Sequence, residues 1–180
     1  MSENTVSQTV SVLDLICKDR YASAIDHKRQ RNDLSSQAKM WIVRRDDYRE
    51  MSIEASKKGK EAKIERDECN AKVKELKALR DEWHAKAAAL KETDDKEGYQ
   101  AAREQGNKIH EEMAQISEKG RIAHQQMQSY FEESNVARQL SDAAHKKYLE
   151  CRKASNDQHT AYVDSLKSIE EIKEDPFKLQ

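Results

Sequence analysis

Residues 66–83 read RDECNAKVKELKALRDEW: an Arg-Asp-Glu phrase and, 14 residues on, the same phrase again. Two degenerate copies precede it, Arg31-Asn32-Asp33-Leu34 and Arg45-Asp46-Asp47-Tyr48, so the four arginines fall 14, 21 and 14 residues apart. Each interval is a whole number of sevens. A phrase locked to seven returns to the same face of a helix every two turns, which predicts a coiled coil.

With the arginines at position a, the d positions run Leu34, Trp41, Tyr48, Ala55, Ala62, Cys69, Leu76, Trp83 and Leu90. A second series occupies the other half: Tyr99, Ala102, Gly106, Ile109, Met113, Ile116, Gly120, Ala123, and so on to Ser155. Beyond it the stripe is expected to shift by one, to His159, Tyr162, Leu166 and Ile169. Between the series lies the polar run Glu92-Thr93-Asp94-Asp95-Lys96-Glu97-Gly98, with a helix N-cap in Asp94 or Asp95. A short connection between long helices predicts an antiparallel pair. The expected fold is all-α: a long antiparallel two-helix coiled-coil hairpin. Its parts are an apolar N-terminal segment (1–19), a first helix (20–91), a turn (92–98), a second helix (99–174) and a tail (175–180).

Antiparallel layers pair residues whose numbers share one sum, here about 189 for a turn near Asp94–Asp95. That register sets Trp83 against Gly106, Cys69 against Gly120, Tyr48 against Ser141 and Leu34 against Ser155, so that large side chains meet small ones. The arginine stems then lie along the seam, with their guanidinium groups reaching water or a flanking carboxylate. The ends are set less firmly by the pattern. Val10, Val12, Leu13, Leu15 and Ile16 can extend the first helix or fold over the tail near Phe177 and Leu179, and Pro176 should end the second helix.

Composition agrees with a narrow seam. Hydrophobic residues make up 36% and charged residues 37% of 180, with 4 Gly and 1 Pro; this lines a stripe without filling a wide core. Net charge is −1, which argues against disorder. Residues 1–93 carry 20 Lys/Arg and 17 Asp/Glu, and residues 94–180 carry 13 and 17. Cys17, Cys69 and Cys151 form no metal-like cluster, and an odd number suits a reducing compartment. Without a long apolar run or a basic, apolar leader, the expectation is a cytoplasmic protein that does not enter a membrane.

His110, His124 and His145 are too far apart along a helix, roughly 21 Å for 14 residues, to share an ion. The neighbouring acids Asp46-Asp47, Asp67-Glu68 and Asp81-Glu82 point about 100° apart and suit ion pairs better than acid–base chemistry. No phosphate-binding glycine loop or nucleophile elbow occurs. The expectation is a non-enzyme with no cofactor, no metal and no catalytic residue. Two surface features stand out. Met40, Trp41, Ile42 and Val43 are apolar right around the helix, and with Phe131, Val136 and Leu140 they exceed what one seam covers; they are candidate partner contacts. Arg44, Arg45, Arg49, Lys57, Lys58, Lys60 and Lys63 form a basic stretch and are candidate phosphate contacts.

The phrases ERDECNAKVKELKALRDEWHAKAAAL (65–90) and AHKKYLECRKASNDQHTAYVDSL (144–166) resemble a family of archaeal coiled-coil proteins of uncharacterised function. Its members repeat an Arg-Asp-Glu-Leu-Asn phrase in one half and a His-x-x-[YFM] phrase in the other, matched here by His110–Met113, His124–Met127 and His145–Tyr148. Some members carry a phosphoserine-phosphatase label, but this sequence lacks the Asp-x-Asp-x-[TV] nucleophile motif that activity needs. The family is similar in turn to a yeast nuclear-segregation protein linked to polysomes. The resemblance implies a coiled coil and points toward translation.

These readings converge on a non-catalytic coiled-coil scaffolding rod that bridges or spaces protein partners, or a homo-oligomer of hairpins. The alternative is an RNA- or ribosome-associated factor that grips phosphates through the basic residues of the first helix.

Overall fold

A computed structural model describes residues 3–175. Helix α1 runs Glu3–Glu92 and helix α2 runs Lys96–Glu174, packed against each other as a helical hairpin. There is no strand among the described residues. The chain divides into two compact units: unit 1 comprises residues 1–48 and 139–180, and unit 2 comprises residues 49–138.

Unit 2 contains the reversal, which is tighter than the sequence implied. The amide of Asp95 bonds the carbonyl of Leu90 (3.1 Å) and that of Asp94 bonds Lys91 (3.4 Å). With Asp94 at φ 54°, this is a Schellman cap built without glycine, using the tolerance of aspartate for left-handed backbone. Asp95 then serves as the N-cap of α2: its Oδ1 accepts from the amide of Gly98 at 2.9 Å. A Cβ on residue 98 would strike that carboxylate, so glycine leaves room for the cap.

The core of unit 2 is made of small residues. Ala55, Ala62, Ala87, Ala102, Ala123 and Ala137 are buried beside Leu76 and Ile109. Small residues let the two backbones approach closely, and hydroxyls of one helix reach carbonyls of the other. Ser52 Oγ donates to the Ser134 carbonyl (3.0 Å) and Ser134 Oγ donates to the Ser52 carbonyl (2.9 Å). The expected register sets Ser134 opposite Ala55 and Ser52 opposite Ala137. Each hydroxyl meets the carbonyl three residues earlier, one turn back, because helix carbonyls point toward the C-terminus. In unit 1 the same offset recurs: Ser141 Oγ bonds the Arg45 carbonyl (3.1 Å) and Ser155 Oγ bonds the Arg31 carbonyl (3.2 Å).

Glycine packing corrects one layer. A Cβ on residue 120 would lie 3.1 Å from Cys69 Cβ, as the register requires. On residue 106, however, its three nearest neighbours would all be atoms of the His84 ring, from 3.3 Å, ahead of Trp83. The Trp83 side chain instead borders a groove with Leu90, Ala101, Ala102 and Gln105, beside Lys86, whose ammonium sits 4.7 Å from the ring centroid. A bulky indole cannot enter a layer this narrow and lies along its edge, leaving the slimmer imidazole to cover the glycine. Phe131 likewise leaves the expected surface surplus: its ring edge lies 3.0 Å from where a Cβ of residue 59 would be.

In unit 1, buried Ala24, Ala38 and Ala144 continue the small-residue seam, and Ile169 and Ile172 close it toward the end of α2. No shift follows Ser155. Gln158, Tyr162, Ser165, Ile169 and Ile172 are the inward positions, in unbroken three–four alternation, while His159 is exposed. Polar Gln158 and Ser165 are tolerated inside because each is hydrogen-bonded, to His27 (2.7 Å) and to the Ala161 carbonyl (2.8 Å). The first helix extends back to Glu3 through Leu13 and Ile16, both half-buried. The contact suggested with Phe177 and Leu179, and the stop at Pro176, lie outside the described residues.

Candidate interaction surfaces

The repeated Arg-Asp phrase builds the same small device each time. Arginine at a seam position has a stem that is largely covered, with side-chain exposure of 27%, 24% and 22% for Arg45, Arg66 and Arg80. Each guanidinium then bends back so that Nε and Nη2 both donate to Oδ1 of the next residue, Asp46, Asp67 or Asp81. Arg31 does the same to Asn32. The hydrogen bond from Arg80 is the main reason that the Asp81 carboxyl titrates below the ordinary aspartate range.

The histidine phrase is the counterpart of the arginine phrase on the facing helix. His159, His145, His124 and His110 stand 14, 21 and 14 residues apart, the arginine spacing read backwards, so each pairs in number with one of Arg31, Arg45, Arg66 and Arg80 at a single sum of 190. The first pair is in contact, with Arg31 Nη1 donating to His159 Nδ1 at 3.3 Å. In the third, the Arg66 guanidinium reaches Met127 Sδ at 3.5 Å, three residues beyond His124. His145 stacks on Tyr148 and His159 on Tyr162 at centroid separations of 6.0 and 6.4 Å. In the two copies that end in tyrosine, the phrase is therefore one turn of helix whose two rings stack.

Of the candidate partner contacts, Met40 and Val43 are 57% and 56% exposed, while Trp41 and Ile42 are half-buried. Leu140 of the same unit is also exposed. Arg44 is drawn onto the Trp41 ring, 5.1 Å from its centroid. The candidate phosphate contacts fall into two groups, those tied to a carboxylate or a ring and those that are exposed. Arg45 is tied to Asp46 and Lys58 to Glu54 (3.0 Å), and that bond raises the Lys58 pKa. Lys57, Lys60 and Lys63 are exposed and, being three residues apart, step about 60° at a time around α1, so they lie side by side within about 120° of one flank.

Among the described residues, no three His, Cys, Asp or Glu side chains converge to hold a metal ion. The cysteines are free and half-buried. No helix of the described residues is long and apolar enough to cross a membrane. Comparison with protein-family models, with curated proteins and with solved structures finds no match to this chain.

Proposed function

We propose that this chain is a non-catalytic scaffolding hairpin of the cytoplasm that bridges or spaces protein partners through the Met40–Val43 surface of unit 1. The observation behind this reading is the exposure of Met40 and Val43. The seam of unit 1 is already filled by alanines and hydrogen-bonded polar residues, so these two side chains have no role in the hairpin's own packing. Exposed apolar side chains beside a half-buried tryptophan are a common form of protein contact. The resemblance to archaeal coiled-coil proteins fits this reading and adds translation as a setting.

The test is affinity capture from native extract with the intact chain and with Met40→Glu/Val43→Glu, both verified as helical. Capture of a defined protein by the former and its loss in the latter supports the reading. Identical capture by both contradicts it. The alternative, RNA binding through the first helix, predicts instead a steep loss of RNA affinity as salt rises, and Lys57, Lys60 and Lys63 are the exposed cations it would use.

A further inference from the structure

Sorted by sevens, some rows of unit 2 carry charge of one sign only. On α1, Arg49, Lys63, Lys77 and Lys91 lie on one row, with Ser56, Asn70 and His84 between them. On α2, Arg103 and Arg138 lie on one row, with His110, Ser117, His124 and Phe131 between them. Neither row contains a carboxylate. The two rows border the same side of the seam, because His84 of the first covers Gly106 of α2 and Phe131 of the second covers Gly59 of α1.

About 160° around α1 from its basic row, at 100° per residue, runs an acidic one: Glu54, Glu61, Glu68, Glu75 and Glu82, all exposed. These charges are almost unused within the chain. None of the six Lys and Arg residues on the basic flank makes an ion pair, and of the five glutamates only Glu54 does, with Lys58. Lys77 and His84 reach Asp81 only through longer-range attraction.

We propose that the basic flank of unit 2 is a docking face for the Glu54–Glu82 row of a second copy of this chain. Complementary charge is one argument and matching pitch is the other. A helix advances ~21 Å in 14 residues, so Glu54, Glu68 and Glu82 of one copy keep step with three successive charges of the Arg49–Lys91 row of another, while Glu61 and Glu75 fall beside its neutral positions. A nucleic-acid strand carries a charge about every 3.4 Å of its axis and would leave most phosphates unmatched. Because donor and acceptor rows are different faces, the contact is head-to-tail. Each exposed pair contributes little, so the association depends on several pairs acting together and weakens with salt. This face is separate from Met40–Val43, and its failure leaves that reading untouched.

The test uses sedimentation of the full chain at low ionic strength with two variants: Lys63→Gln/Lys77→Gln/Lys91→Gln, and Glu61→Gln/Glu68→Gln/Glu75→Gln/Glu82→Gln. Glutamine keeps helix propensity, and circular dichroism verifies the fold. The expected result is self-association of the natural chain, a loss of at least tenfold in affinity for either variant alone, and a 1:1 complex when the two are mixed, since one retains its acidic row and the other its basic flank. A monomeric natural chain, undiminished association of the variants, or a mixture that stays monomeric overturns the proposal. So does a basic-flank variant that loses binding to a single-stranded RNA oligonucleotide while its self-association persists.

Discussion

The two units use the same seven-residue period with different chemistry. In unit 2 the seam is narrow: Gly59, Gly106 and Gly120 lie beneath Phe131, His84 and Cys69, and paired serines bond each other's backbone. In unit 1 it is bridged by longer polar side chains, His27 to Gln158 at 2.7 Å, Arg31 to His159 at 3.3 Å and Arg20 to the Ser168 carbonyl at 3.5 Å. Small residues stabilise by letting many atoms of both backbones touch, and that gain is forfeited when a side chain is enlarged. Partly exposed polar bridges contribute less and tolerate replacement. Enlarging a residue against a fixed neighbour in unit 2 should therefore cost more than removing a polar bridge in unit 1.

Gly120→Ala should show the largest effect, about 2 kcal/mol of lost stability by thermal or urea unfolding. The obstructing atom is a Cβ fixed to the Cys69 backbone, so only a shift of the helices can relieve it. Ser52→Ala/Ser134→Ala should cost less, about 1 kcal/mol, since the lost hydroxyl bonds are partly offset by alanine's helix propensity. In unit 1, His27→Ala should cost under ~1 kcal/mol, because the Gln158 amide it releases is only half-buried and can turn to water. Gly106→Ala should be smallest, within ~0.5 kcal/mol of neutral: the exposed His84 ring can swing aside, and removing a mid-helix glycine is itself favourable. If Gly106→Ala proved as costly as Gly120→Ala, the two glycines would be equally confined and the distinction between fixed and movable neighbours would fail.

Much of the fold was legible because a repeat of seven constrains both helices at once. The Arg66 and Arg80 phrases set the phase of α1, the polar run after Leu90 placed the reversal, and Cys69 over Gly120 followed from the register. What escaped depends on distances shorter than one residue of register. Nothing in the numbering distinguishes Trp83 from its neighbour His84 over Gly106; the width of the gap does. The end of α2 misled because polar Gln158 and Ser165 occupy inward positions, which hydrophobic periodicity cannot recognise. The surface shows a related effect. Consecutive lysines near Lys57–Lys60 attract attention in a linear sequence, whereas the carboxylate-free row emerges only by stepping in sevens from Arg49.

The doubling back of the chain, with residue 69 packed on residue 120, is tested most directly by a disulfide. In a background of Cys17→Ser and Cys151→Ser, Gly120→Cys places a second thiol whose Cβ lies 3.1 Å from that of Cys69, so a shift of a few tenths of an ångström brings the pair to the ~3.5–4.5 Å that a disulfide spans. Mild oxidation of the dilute protein should close an intrachain bond in nearly every molecule, with Gly106→Cys as a control that stays reduced. Absence of that bond, bonds formed only between chains, or equal closure in the control would contradict the hairpin register.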